Sequence, residues 1–226
     1  MLSLYLLSIS VAGTLALFYH FTYGKFLGSK KMGWAGSFLA LNAPLTLGLW
    51  VTIEVGIDRM IVPSSSMLPS IAIGDSFFVN KTAYKYDYLL GNTQHSKPVT
   101  GETVVMKFPI NTDIHYVKVL IANELQSVKL EQKGITVDSQ FYPFEKEKGT
   151  IEYQISKEES DVFDRYKINL NGFEHTFLKK SGEPISPIKV IVPSGGMFVL
   201  GTNLDYSGDS RQMGAISNSL LVGRAI

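Results

Sequence analysis

Two uncharged apolar runs at the start of the chain constrain its fold more than anything else in the sequence. Leu2 to Phe18 is rich in Leu, Val and Ala, and at about 1.5 Å per residue it nearly spans a hydrocarbon layer of about 30 Å once Tyr19–Tyr23 extend it. Trp34 to roughly Ile57 carries no charge before Glu54 and ends in Glu54, Asp58 and Arg59, a polar edge suited to an interface, with Pro44 a candidate kink. Both runs are read as transmembrane helices. A cleaved signal peptide is the competing reading of the first, but no Lys or Arg precedes it and a second apolar run follows. A buried helix of a soluble protein competes for the second, whose uncharged span is longer than most core helices require.

The loop between the runs, Tyr19–Gly33, carries Lys25, Lys30 and Lys31, whereas the start of the chain has no basic side chain. The positive-inside bias therefore makes this loop cytoplasmic and puts everything after about residue 58 on the outer face of the membrane. Two parts are expected: residues 1–58 as a membrane anchor with two transmembrane helices and a short cytoplasmic loop, and residues 59–226 as a domain outside the cytoplasm.

Beyond Arg59 the pattern changes to short β-rich runs separated by Gly, Pro, Asn and Asp. Strands are expected at Ser76–Lys81, Glu102–Phe108, His115–Ile121, Ile135–Val137, Thr150–Ile155, Tyr166–Leu170, Lys189–Val192 and Met197–Gly201, which makes the outer domain mostly β and antiparallel. Tyr84–Val99, with Gly91-Asn92 and Lys97-Pro98, reads as a loop; Tyr84, Tyr86 and Tyr88 suit a membrane interface and equally a core or hairpin. Glu145–Lys167 alternates Glu, Lys and Asp with Tyr, Ile and Phe and reads as solvated strands with no chemistry of their own.

A net charge of +1 and the lack of a clustered basic stripe give no case for nucleic acid as a partner. The sequence has no cysteine, which removes a disulfide scaffold, a thiolate nucleophile and Cys-ligated zinc. No His/carboxylate spacing resembles a metal-ligand set, and no cofactor is implied.

Directly after the second apolar run comes Ile61-Val62-Pro63-Ser64-Ser65-Ser66-Met67-Leu68-Pro69-Ser70, a cluster of hydroxyls between prolines that restrict the backbone. On composition alone a Ser-rich flexible linker is the competing reading. Two further stretches stand beside it: Gly101-Glu102-Thr103-Val104-Val105-Met106-Lys107-Phe108-Pro109 followed by His115-Tyr116-Val117-Lys118, and Val192-Pro193-Ser194-Gly195-Gly196-Met197 leading to Gly201-Thr202-Asn203-Leu204-Asp205-Tyr206-Ser207-Gly208-Asp209-Ser210-Arg211. In order and spacing the three resemble the boxes of type I signal peptidases, whose nucleophile box has the form Ser-x-Ser-Met-x-Pro-Thr just past the anchor. The resemblance covers about half of the outer domain and little of residues 122–190. The chain departs from the family pattern at Ser70 for Thr, Val119 for Arg, Thr202 for Asp, Leu204 for Arg, and in the turn at Ala122-Asn123-Glu124-Leu125.

The resemblance implies a signal-peptidase-like β domain and a serine endopeptidase in which Ser66 is the nucleophile and Lys118 the general base. It places the oxyanion donors at the Ser64 hydroxyl and the Ser66 backbone N–H, with Ser207 supporting the lysine amine and Asp209 with Arg211 forming a structural ion pair. Substrate pockets near Met67 and Pro69 would take small side chains one and three residues before the cut. The implied partners are exported preproteins with signal peptides and the lipid bilayer, and the implied location is a bacterial inner or plasma membrane, with the catalytic domain periplasmic or extracellular.

Such chemistry needs a neutral amine, and Val117 and Val119 around Lys118 supply an apolar strand on which desolvation lowers a lysine pKa. A Ser-His-Asp triad is the rival, but His20 falls on the cytoplasmic side and His95, His115 and His175 have no triad context. Two other readings stay open: a dedicated processing peptidase for a conjugation or pilin substrate, and an inactive member serving as a membrane assembly subunit.

Overall fold

The computed structural model describes Gly48 and residues 56–84, 97–156 and 158–226. Contacts divide the chain into two compact units, Met1–Asp58 and Arg59–Ile226. The predicted spans at Leu2–Phe18 and Trp34–Ile57 and the loop Tyr19–Gly33 lie outside the described residues, apart from Gly48, Gly56 and Ile57, as does residue range 85–96 of the predicted loop. Among the described residues no helix is long and apolar enough to cross a membrane.

The second unit is built on antiparallel strands. Its largest sheet has the order β1 (Ile57–Ile61), β2 (Ser76–Asn80), β14 (Leu221–Ala225), β3 (Thr103–Lys107), β4 (His115–Ala122), β12 (Gly196–Leu200), β13 (Ile216–Ser217). A four-stranded sheet runs β11 (Ile188–Ile191), β5 (Ser127–Glu131), β6 (Gly134–Val137), β7 (Gln140–Pro143), and a three-stranded one β10 (Phe173–Lys180), β9 (Ser160–Leu170), β8 (Glu145–Gln154). The stretch Glu145–Lys167 thus lies in a long ribbon that carries cross-strand ion pairs, Lys167–Glu147 on its exposed side and Lys146 with the buried Asp164 carboxylate.

Strand alternation sorts the core. Val119 and Ile121 of β4 join Phe198 and Leu200 of β12 on one face, where they meet Val128, Leu130 and Ile135 of the four-stranded sheet and Ile168, Leu170 and Phe177 of the three-stranded one. Leu120 takes the opposite face with Val104, Met106, Met197 and Val199. Each such aliphatic side chain withdrawn from water contributes about 1.5–3 kcal/mol. The β3–β4 pairing sets Val104 opposite Lys118 and Met106 opposite Tyr116, so Lys118 shares its face of β4 with Tyr116 and Leu120.

Gly101 opens β3 where no side chain fits. Its φ is +99°, and a Cβ there would lie 2.3 Å from the Leu170 carbonyl oxygen. Beside it, buried Glu102 accepts from the Tyr84 hydroxyl at 2.8 Å, the Val99 N–H at 3.1 Å and the Arg224 guanidinium at 3.1 Å, joining the start of β3 to the last strand.

Candidate active site

The hydroxyl cluster after β1 folds as a single turn of 3₁₀ helix, Ser65–Met67 (η1), with Ser64 in extended conformation ahead of it. Met67 anchors the turn: it is 1% exposed and packs in the core with Val119 and Ile121. Its side chain therefore seats the turn in the core. Pro69 follows, half-buried, and Ser64 is exposed.

Anchoring the turn in this way brings Ser66 to β4. Lys118 Nζ lies 2.8 Å from Ser66 Oγ although 52 residues separate the two, and Ser64 Oγ lies 3.3 Å from Ser66 Oγ. Ser66 is 9% exposed and Lys118 3%. Burial lowers the Lys118 amine from the ordinary lysine value to about 8; the Asp209 carboxylate pulls it part of the way back up and the Arg211 guanidinium pushes it further down. The Tyr116 ring centroid is 5.1 Å from Nζ, a contact that favours the ammonium form and is outweighed by desolvation.

Residues 201–209, after β12, close the site from the other side. The Asn203 N–H donates to the Ser66 carbonyl oxygen at 3.1 Å. Gly201 has to be glycine on steric grounds: a Cβ would fall 2.1 Å from Ser207 Oγ and 2.6 Å from the Ser66 carbonyl oxygen. Ser207 is thereby brought to the back of the nucleophile turn. Its Oγ is buried and has no hydrogen-bond partner among the described residues, so the expected support of the Lys118 amine is not made here. Thr202 Oγ1 and Asn203 Nδ2 of the same loop are buried and unpartnered as well. The loop's polar interior is the part that sequence reasoning missed; only the alternation of hydroxyl and amide residues after Gly201 signals it.

Asp209 is fully buried and forms a bidentate pair with Arg211, Nε to Oδ1 and Nη2 to Oδ2 at 2.8 Å each. The same carboxylate accepts from the Gly201 N–H at 2.9 Å and caps the short helix Ser210–Met213 (α1), with Gln212 returning a bond to the Asp209 N–H. It thus ties the start of the loop to its end.

Among the histidines His20 and His95 lie outside the described residues. His115 is exposed at the start of β4, and His175 is bonded through Nε2 to the Gly101 carbonyl oxygen at 2.7 Å with its pKa lowered by burial. Neither of these bonds to Ser66. The arrangement can carry out nucleophilic acyl transfer: a hydroxyl, an amine in contact with it that burial makes easier to deprotonate, and a second hydroxyl adjacent.

The protein-family model described as signal peptidase, peptidase S26, matches residues 36–226. Signal peptidase I of Aquifex aeolicus is 28% identical over 204 residues, which cover 73% of this chain and 72% of that protein. Signal peptidase I of Pseudomonas aeruginosa is 26% identical over 182 residues, covering 73% and 61%, and signal peptidase I T of Bacillus subtilis is 29% identical over 169 residues, covering 74% and 70%. A solved structure of a signal peptidase I from Enterococcus faecalis aligns with a TM-score of 0.34 at 20% identity, covering 57% of this chain and 97% of that one.

Proposed function

This chain belongs to the signal peptidase family S26, and from that premise we propose that it is a membrane-bound serine endopeptidase that removes signal peptides from exported preproteins, with Ser66 as nucleophile and Lys118 as general base. The observation that carries the reading is the 2.8 Å contact between Lys118 Nζ and Ser66 Oγ, made where burial brings the amine to about 8. As an ammonium the lysine donates to Oγ; as a neutral amine it accepts the Ser66 proton.

In that second state the amine takes the proton as Oγ attacks the scissile carbonyl carbon. The oxyanion is met by the Ser66 N–H and the Ser64 hydroxyl, donors of a kind worth about 2.7–4 kcal/mol each. The new ammonium hands its proton to the leaving amine, the C–N bond breaks, and an ester to Ser66 remains. Water, deprotonated by the same amine, cleaves that ester and restores Ser66. The asymmetry of lysine-bearing loop and apolar runs supports a site of action on the outer side of a bacterial inner or plasma membrane, with residues 1–58 as the proposed two-helix anchor.

The test is cleavage of a preprotein by the full chain in detergent, compared with Ser66→Ala and Lys118→Ala. Each substitution is expected to abolish turnover, and full cleavage by either variant rejects the pair. Val119, Thr202 and Leu204, which replace charged residues of the family pattern, favour a second reading, a peptidase dedicated to one conjugation or pilin substrate. A panel of preproteins set against a single pilin precursor separates the two.

A further inference from the structure

The loop 201–209 touches the nucleophile turn on one side and the three-stranded sheet on the other. Leu178 of β10 donates its N–H to the Thr202 carbonyl at 2.7 Å and accepts from the Leu204 N–H at 2.9 Å. Asp205 accepts from the Lys180 N–H at 2.6 Å and from the buried Lys179 ammonium. Next along, the Tyr206 hydroxyl lies 3.0 Å from a carboxylate oxygen of Glu159, just before β9, and 2.9 Å from one of Asp161 at the start of that strand. Its ring packs edge-on to Phe163 at 6.2 Å and lies 4.9 Å from Lys180 Nζ, which pairs in turn with Asp161. Leu68, two residues past the nucleophile, packs into the same sheet with Ile155, Phe163 and Leu178. Nucleophile turn and Ser207 loop therefore rest on one support, and that support includes Glu145–Lys167, a stretch to which the sequence assigns no chemistry.

We propose that Tyr206 is a positioning residue whose hydroxyl, bonded to Glu159 and Asp161, latches the Ser207 loop to the β8–β9–β10 sheet and so sets the placement of the Ser66 turn against Lys118. The inference rests on the Ser66–Lys118 reading and extends it outward. The mechanical path is short. Tyr206 directly precedes Ser207, and Asn203 in the same loop holds the Ser66 carbonyl oxygen. A reacting group displaced by about 1 Å loses about a hundredfold in rate, so freeing one anchor of several is expected to cost about tenfold. The loss falls on kcat, because misplacement of the attacking pair is felt in the transition state more than in substrate binding.

The experiment uses the full chain in detergent with a preprotein substrate. Tyr206→Phe keeps the ring against Phe163 and removes only the hydroxyl; Asp161→Asn with Glu159→Gln removes the charge it bonds to. Both variants are expected to lower kcat about tenfold with KM within about twofold and the unfolding midpoint little changed. Combining all three substitutions is expected to lower kcat no further than the acidic pair's substitutions alone, since both proteins lack the Lys180–Asp161 ion pair and the Tyr206 bond has already lost its charged acceptors. Lys167→Ala, an exposed ion pair on the same sheet, serves as the control with wild-type kcat. Wild-type kcat in Tyr206→Phe, additive losses, or a rise in KM alone each overturn the latch. Ser66→Ala and Lys118→Ala run alongside: if they retain cleavage the active-site reading fails, and if they abolish it while Tyr206→Phe is unaffected, only the latch fails.

Discussion

At the scale of single residues the site is built from groups that destabilise the fold they sit in. Lys118 is 3% exposed and its amine is lowered from 10.5 to about 8 by desolvation. The folded chain therefore binds its proton less tightly than the unfolded chain does. Between about pH 8 and pH 10.5 the unfolded state holds more protons, so this residue's contribution to stability rises with pH through that window; below it the folded state carries the full penalty. Lys118→Met is accordingly expected to abolish cleavage and yet raise stability at pH 7 by up to about 3 kcal/mol, a gain that shrinks towards pH 10.5. Thermal unfolding of both proteins across that range measures it, and a gain constant with pH contradicts the burial argument. The same value predicts an acid limb for kcat/KM centred near pH 8, rising with pH as the amine loses its proton. Gly201→Ala puts a methyl 2.6 Å from the Ser66 carbonyl oxygen, and a loss of about a hundredfold or more in kcat is expected.

At the scale of elements, the loop 201–209 is held by one carboxylate at its two ends. Asp209 receives the Gly201 N–H, the Arg211 guanidinium and the first turn of α1. Asp209→Ala leaves a guanidinium and two backbone donors without their acceptor, and about 3 kcal/mol of stability is expected to be lost. Denaturant unfolding with an unchanged slope checks the figure. The strands were legible wherever apolar residues alternate between turn residues: β2, β3, β4, β6, β11 and β12 fall within a residue or so of where they are expected. β14 was not, because Leu221–Ala225 is short and includes Gly223 and Arg224, which no local pattern marks as a strand lying between β2 and β3. β5, with Lys129 and Glu131, and β10, with His175 and paired lysines, are likewise strands by virtue of their partners.

At the scale of the whole molecule, Glu102 links distant parts of the chain. It joins Tyr84 and Val99, on either side of residues 85–96, to Arg224 in the last strand. The Tyr84 hydroxyl responds by having its pKa raised, chiefly by burial. Glu102→Ala is expected to lower the unfolding midpoint by an amount equivalent to about 1–3 kcal/mol, from the Tyr84 and Val99 donors left without an acceptor. The proposed topology has its own test, made clean by a chain without cysteine. Exposed Lys148 replaced by Cys is expected to react with a membrane-impermeant maleimide in spheroplasts, and protection there until the membrane is broken would reverse the orientation.

Neighbours along the chain were enough to reveal the apolar runs and the basic loop between them, the antiparallel strand pattern, and Ser64, Ser66 and Lys118 as candidates within three recognisable boxes. Which groups meet is fixed only by long-range packing. The approach of Lys118 to Ser66 across 52 residues depends on Met67 being sunk in the core, and Ser207 left without a partner depends on a loop braced by a sheet from the least family-like part of the chain. Local propensity acts over a few residues, whereas a hydrogen bond between side chains is set to a fraction of an ångström by the packing of everything beneath it.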